Sequence, residues 1–428
     1  MAKPSRSLSQ GMSFSYRDGA LCAEGVALED IAQRYGTPCY VYSLSAIERA
    51  YREFSDELAG RPSLLCYSVK ANGNLAVLSL MAKLGAGFDI VSGGELARVL
   101  AADGDPAKVV FSGVGKTEDE IRLALQAGVL SINLESEQEL VRVSAIAAGL
   151  GLRAPIAFRV NPDVDAKTHP YISTGLKQNK FGVAYADAER LYRKAAQLPN
   201  VKVTGIGCHI GSLMMDSAPF VAATQRIVAL VERLEQAQIG LAHIDLGGGM
   251  GIRYGEEKPA PIAAFVHGAL DALGTRKERL LLDPGRSIVG NAGVLLTKVE
   301  YVKPGEAKNF AVVDAAMNDL LRPALYDAWH EIRQVREKES DAVPGIYDVV
   351  GPICESADVI ARERPLAIRP GSLLAVLSAG AYGMAMSSNY NSRPRAAEVM
   401  VWDTQASLVR RRETAPELFE GEQVPEWR

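Results

Sequence analysis

The chain predicts a (β/α)8 barrel of the TIM-like α/β class followed by a mostly-β domain, and three observations carry that prediction. Eight short apolar runs recur at Leu64–Val69, Phe88–Val91, Val109–Phe111, Ser131–Leu134, Ile156–Val160, Val203–His209, His243–Leu246 and Leu280–Leu282. Segments of helical period separate them, and strand then helix repeated eight times is the pattern of a closed parallel barrel, with a doubly wound open sheet as the alternative. Beyond Arg286 the rhythm changes to short β-rich segments punctuated by Pro and Gly.

Taken in order, residues 12 to 35 alternate polar and apolar positions around Gly19 and Gly25, then form a helical piece, Leu28 to Arg34, stopped by Gly36. The first buried run, Leu64 to Val69, delivers Lys70 into a turn. Among the intervening helices, Thr117–Ala127 opens with a Thr-Glu-Asp-Glu capping signature, and Ser217–Gln238 is a long amphipathic stretch closed by Gly240. The later β segments are Gly293–Val302, Asn309–Asp314, Tyr347–Gly351, Ser372–Leu377 and Ala397–Trp402. The barrel is therefore expected over 36–286, and residues 1–35 and 287–428 are expected to make the β-rich domain. The run Arg410-Arg411-Arg412 reads as solvated surface.

Composition narrows the function. The 428 residues are 48% hydrophobic, enough for two cores, and 47 basic against 51 acidic residues give a net charge of −4. Without a basic field, neither nucleic acid nor an anionic membrane is an expected partner, and small-molecule chemistry is the default. The first ten residues lack an apolar leader and no run is long enough to span a bilayer, so a cytoplasmic location is expected. The five cysteines (Cys22, Cys39, Cys66, Cys208, Cys354) lack CxxC spacing and read as reduced thiols, and no residue cluster has the spacing of a metal site.

In a barrel, functional groups gather where strands end and loops enter the helices. Lys70 ends the first run, Asp89 lies in the second, His209 ends the sixth, Gly247-Gly248-Gly249 ends the seventh, and Asp283, Gly285 and Arg286 end the eighth. A lone lysine after a buried strand is more often a stem along the core with its head in water. A lone histidine is more often a core residue, and a glycine run more often a tight turn. Their meeting on one rim favours the functional reading. Consecutive glycines allow backbone N–H groups to approach an anion, Ser212 can donate to phosphate, and a flat imidazole can cover an aromatic ring. A lysine for an aldehyde, a glycine cradle for phosphate and Asp283 for a pyridine nitrogen together suggest pyridoxal 5'-phosphate. The reaction class is amino-acid chemistry at Cα, decarboxylation or racemisation.

The motifs Tyr67-Ser-Val-Lys-Ala-Asn72, His209-Ile-Gly-Ser212, Gly247-Gly-Gly-Met-Gly251 and Pro284-Gly-Arg286 resemble those of the barrel-type pyridoxal-phosphate decarboxylases, whose fold is alanine racemase-like, fold type III. Longer stretches resemble the diaminopimelate decarboxylases in particular. They are Arg159-Val-Asn-Pro-Asp-Val-Asp165, Thr168 to Gly175, Asn179-Lys-Phe-Gly182, Asn318 to Tyr326, Gly351 to Asp358, Ala381-Tyr-Gly-Met384, Asn389-Tyr-Asn391 and Arg393-Pro394. The resemblance implies that Lys70 carries the cofactor, His209 stacks on it, and Gly248 with the Asp283–Arg286 turn contacts it. It further implies that Arg286, Arg322 and Tyr326 bind the carboxylate at the non-reacting end of meso-2,6-diaminoheptanedioate. Glu355 would meet the distal amine, Cys354 would donate a proton, and Tyr382 would touch cofactor phosphate and substrate. Cys354 and Glu355 would serve the neighbouring subunit's cofactor, implying a homodimer. The alternatives are a related decarboxylase of ornithine, arginine or carboxynorspermidine, a racemase, and a cofactor-binding protein without catalysis. Two positions depart from the family pattern: Asp283 replaces the usual Glu, and Gly207 stands where a histidine is common.

Overall fold

Eight parallel strands close into a ring in the computed structural model, which describes residues 13–165 and 180–427. They are β1 (Ser63–Ser68), β2 (Gly87–Ile90), β3 (Val109–Phe111), β4 (Ser131–Leu134), β5 (Ala154–Asn161), β6 (Val201–Gly207), β7 (His243–Asp245) and β8 (Arg279–Leu282). Each pairs with its successor in the chain, and β8 returns to β1 through Leu281 opposite Leu64. Closure excludes the doubly wound alternative, because an open sheet would leave two edges. All eight predicted strands are present within a few residues of their expected bounds.

The helices between the strands are α1 (Leu75–Lys83), α2 (Gly93–Ala101), α3 (Glu118–Ala127), α4 (Glu137–Leu150), α5 (Tyr185–Ala196), α6 (Ala218–Gln236) and α7 (Ile262–Leu273). The predicted capping box at Thr117 forms, with Thr117 and Glu120 satisfying each other's backbone N–H. Aromatic pairs help pack the layers: Phe158 of β5 meets Tyr192 of α5 edge-on at 5.1 Å, and Phe220 of α6 meets Phe265 of α7 at 5.8 Å. Inside the ring, polarity changes with depth. Leu64 and Cys66 of β1 cluster with Val110 and Leu281, whereas Ser68, next on the same face, meets polar groups. The apolar floor of the ring thus gives way to a polar mouth at the C-terminal ends of the strands.

The chain divides into two compact units, Glu48–Ile288 and the residues up to Ile47 together with those from Val289 onward. The division corrects the predicted domain start at residue 36. The strand Cys39–Ser43, fully buried, pairs antiparallel with Gly293–Lys303 and parallel with Ala397–Trp402, so it belongs to the β-rich unit. That unit holds one large sheet and a three-stranded sheet of Phe14–Arg17, Ala20–Ala23 and Val26–Ala27. Its core joins Phe14, Leu21 and Leu28 to Val41, Val294 and Val399. The strands Ile332–Gln334, Val359–Ile368 and Gln405–Arg410 were not foreseen. The basic run is only partly solvated: Arg411 is exposed and pairs with Glu417, but Arg412 donates to the Pro38 carbonyl at 2.8 Å. The motif Thr168 to Gly175 and Asn179 lie outside the described residues.

Candidate active site

Lys70 stands in a short turn, Val69–Ala71, directly after β1. Its stem is not sunk in the core. The side chain is 37% exposed, and Nζ lies 2.8 Å from Oδ2 of Asp89, a β2 residue that is almost fully buried. Burial alone would raise the Asp89 carboxyl, but the Lys70 charge and hydrogen bond, helped by Ser112, hold it below the ordinary range. The pair therefore holds the Lys70 amine at the mouth.

His209 follows β6, and its imidazole is kept neutral. Burial first, then the charges of Arg159 and Lys70, push it down to about 3. Its Nδ1 accepts a long hydrogen bond from the Gly248 N–H at 3.4 Å, so the 3.8 Å approach to Asp283 Oδ1 is not an ion pair. Arg159 donates to the His209 carbonyl at 3.4 Å and lies 4.7 Å over the Phe181 ring.

Asp283 directly follows β8 and is the acid of the cluster. Burial, then repulsion from Asp89 and Asp245, raise its carboxyl well above the usual range, against the pull of Lys70 and Arg159. It reaches this place because Gly248 has no side chain. A Cβ there would lie 2.4 Å from the Asp283 carbonyl oxygen and 2.7 Å from Oδ1. Gly285 lets the following turn lie against β1, since its Cβ would meet Ser68 Cβ at 2.8 Å. Ser68 Oγ in turn donates to the Asp283 carbonyl at 2.9 Å, tying the lysine turn to the acid turn.

The glycine run differs from the expected open cradle in one respect. The Gly247 N–H already donates to Asp245 Oδ1 at 2.9 Å and that of Gly248 leans on His209, which leaves Gly249 and the neighbouring side chains as the anion-facing part. Arg286 supplies those side chains with order. Buried, it donates from Nη1 to the Tyr254 hydroxyl at 2.6 Å and from Nη2 to Ser212 Oγ at 3.3 Å. Tyr254 and Asp245, whose carboxyl burial raises to about 7, were not singled out in the sequence. Asp245 was visible only as the start of the Asp-Leu-Gly-Gly-Gly stretch.

The remaining predicted residues belong to the β-rich unit. Arg322 and Tyr326 begin and end one short helix, Arg322–Tyr326, with the Arg322 side chain buried and Tyr326 partly so. Cys354 and Glu355 are exposed on a second loop. Asp358 folds that loop by accepting from the Ile353 and Met317 N–H groups, each at 2.7 Å. Tyr390 donates to Glu355 at 2.5 Å, and Asn391 accepts from the Cys354 N–H at 3.0 Å. Tyr382 sits on a third loop with φ of +55°, a left-handed conformation uncommon outside glycine. His330, also missed in the sequence, touches Arg322.

An amine held by a buried acid, a neutral flat ring, a second acid that favours a proton, and a glycine- and arginine-lined recess share one barrel mouth. These residues fit pyridoxal phosphate: Asp283 needs a partner that brings a proton, and Ser212 with Arg286 suits an anion. The barrel unit is thus that of a pyridoxal-phosphate enzyme. Residues 44–290 match the family described as pyridoxal-dependent decarboxylase, pyridoxal binding domain. A diaminopimelate decarboxylase of Pseudomonas aeruginosa is 58% identical over 412 residues, 96% of this chain and 99% of that protein. The Helicobacter pylori diaminopimelate decarboxylase complexed with L-lysine superposes with a TM-score of 0.89 at 41% identity, covering 92% of this chain and 99% of the other. That of M. jannaschii with L-lysine gives 0.91 at 36% identity, covering 96% and 98%. The chain belongs to the diaminopimelate decarboxylases.

Proposed function

We propose that this chain decarboxylates meso-2,6-diaminoheptanedioate at its D centre, yielding L-lysine and CO2, with pyridoxal 5'-phosphate as cofactor. The observation that carries the reading is the trio at the barrel mouth: Lys70 paired to Asp89, neutral His209, and Asp283 with its raised carboxyl. When bound, the cofactor withdraws electrons from the substrate Cα. Lys70 holds the cofactor aldehyde, and Asp89 keeps the amine in place. His209 offers an uncharged face to the ring, while Asp283 holds a proton at the ring nitrogen. Ser212 and Gly249, the part of the glycine run whose N–H is not taken by Asp245 or His209, take the phosphate.

The substrate carries an amino-acid centre at each end, so the enzyme must grip the end it leaves intact. Arg286 and Arg322 suit that carboxylate, since a guanidinium binds it in two places, and Tyr326 adds a hydroxyl. Glu355 answers the distal ammonium, Cys354 returns a proton to the carbon that has lost CO2, and Tyr382 contacts phosphate and substrate. Both Cys354 and Glu355 are exposed on their own chain, which supports their use in the site of a second copy and hence a homodimer. Among the described residues no helix is long and apolar enough to cross a membrane, and we place the enzyme in the cytoplasm.

Carbon dioxide release from meso-diaminopimelate, with L-lysine formed one for one, tests the reading. Release from ornithine, arginine or carboxynorspermidine instead would overturn the substrate assignment, and racemisation without CO2 would overturn the reaction.

A further inference from the structure

We propose that His330 is the positioning residue for Arg322 and so sets the affinity for the carboxylate at the non-reacting end of the substrate. The inference rests on the reading of Arg322 given above.

Arg322 Nη1 lies 2.8 Å from His330 Nε2, and His330 Nδ1 lies 2.8 Å from the Leu377 carbonyl oxygen. A carbonyl oxygen only accepts, so Nδ1 carries the proton; an arginine N–H only donates, so Nε2 presents its lone pair. Both contacts together require the neutral imidazole with its proton on Nδ1. At this contact the guanidinium meets a neutral acceptor, so the bond orients Arg322 without cancelling its charge. Each group is nearly inaccessible, 3% exposed for Arg322 and 0% for His330, and buried charge-assisted bonds are the stronger kind.

His330 is in turn rigidly held. The helix Arg322–Tyr326 ends at Asp327, left-handed at φ +49°, and the chain then enters the strand Ile332–Gln334. That strand pairs with Leu373–Val376, placing Ile332 opposite Val376. The Leu377 N–H donates to the Glu331 carbonyl at 2.8 Å, so the peptide that fixes the imidazole is itself fixed by the sheet. On the other side Arg364 donates to the His330 carbonyl at 3.1 Å while lying 4.3 Å over the Trp329 ring. Sheet register thus reaches Arg322 through one imidazole. A specificity group on a short five-residue helix gains the precision of a strand.

The test compares His330→Asn with His330→Gln in the cofactor-loaded enzyme. Asn keeps a donor for Leu377 and loses the acceptor for Arg322, whereas Gln places an oxygen near the former Nε2. His330→Asn is expected to raise KM for meso-diaminopimelate and the inhibition constant of L-lysine about tenfold, with kcat changed less than about twofold. The inhibition constant of 1,5-diaminopentane, which has the amines but no carboxylate, should not move, and Gln should recover most of the loss. Arg322→Met should weaken L-lysine about a hundredfold, and His330→Asn added to it should cost nothing further. If Arg322→Met weakens L-lysine but His330→Asn does not, or if the two effects add, or if 1,5-diaminopentane weakens equally, the positioning role is wrong. If Arg322→Met leaves L-lysine binding unchanged, the assignment of Arg322 itself fails.

Discussion

Asp283→Asn removes the charge of the central acid while keeping its volume. The structure sets two consequences apart. In the folded chain burial and the charges of Asp89 and Asp245 raise the Asp283 carboxyl far above its unfolded value, so this group favours folding at low pH and costs stability as pH rises through its folded value. Asparagine lifts that cost, and the melting temperature at pH 8 should stay level or rise. Activity should move the other way. An amide cannot balance a proton at the ring nitrogen, and losing one preorganised electrostatic partner costs about 3 kcal/mol, a fall in kcat of about a hundredfold or more. The assay is CO2 release with cofactor occupancy followed by absorbance and unfolding followed by circular dichroism. A variant fully loaded with cofactor that turned over within about threefold of the wild type would refute the role given to this acid, since that is under 1 kcal/mol. Asp283→Glu adds about 1.5 Å of reach and restores the usual family acid. It should keep activity within about tenfold, because the charge survives even though the space beside Gly248 is narrow.

Gly249→Ala tests the glycine run. At φ +89° the added Cβ would lie 2.0 Å from the Gly211 carbonyl oxygen, a clash with backbone that no side-chain rotation can relieve. Cofactor affinity should fall by about a hundredfold or more, whereas Gly128→Ala, also left-handed but with nothing within 4 Å, should cost only about 1 kcal/mol of stability. Asp319 is buried in the β-rich unit, and burial raises its carboxyl to about 7. Its contribution is fully present below the unfolded value near 3.8 and is lost as pH rises toward 7, so Asp319→Asn should flatten the decline in thermal stability between about pH 4 and 7, by up to about 4 kcal/mol at the upper end. A steeper decline in the variant would contradict that sign. Cys354→Ala should lower kcat by about a hundredfold with little change in KM, measured as CO2 release at saturating substrate. An unchanged kcat would assign the proton to another group.

The ring and its mouth were legible because a barrel strand is buried on both faces. Runs such as Leu280–Leu282 are apolar throughout, and the residue after each run falls on the rim. Lys70, His209 and Asp283 could be found by that positional rule alone. Cys39–Ser43 was not read as a strand at all, and it fell to the barrel only because the domain start was set at the Gly36 helix stop. Its partner Gly293–Lys303 lies some 250 residues further on, and nothing local announces the pairing. Val359–Ile368 was missed because its Arg-Glu-Arg-Pro stretch is polar and partly exposed, as suits a strand at the end of a sheet. The Gly247–Gly249 run was read as free donors, yet Asp245 takes the first of them, a competition that only the folded turn reveals. His330 gave no signal, because a lone histidine carries no spacing pattern and its partners are a guanidinium eight residues back and a carbonyl 47 residues on.

The central claim is that Lys70 carries the cofactor at this barrel mouth. Borohydride reduction of the loaded enzyme, followed by proteolysis and mass spectrometry, reads the attachment directly. The account predicts one pyridoxyl-phosphate addition per chain, on the peptide containing Lys70, and none after Lys70→Ala. The label on any other lysine, or an undiminished label in the Lys70→Ala variant, would contradict it.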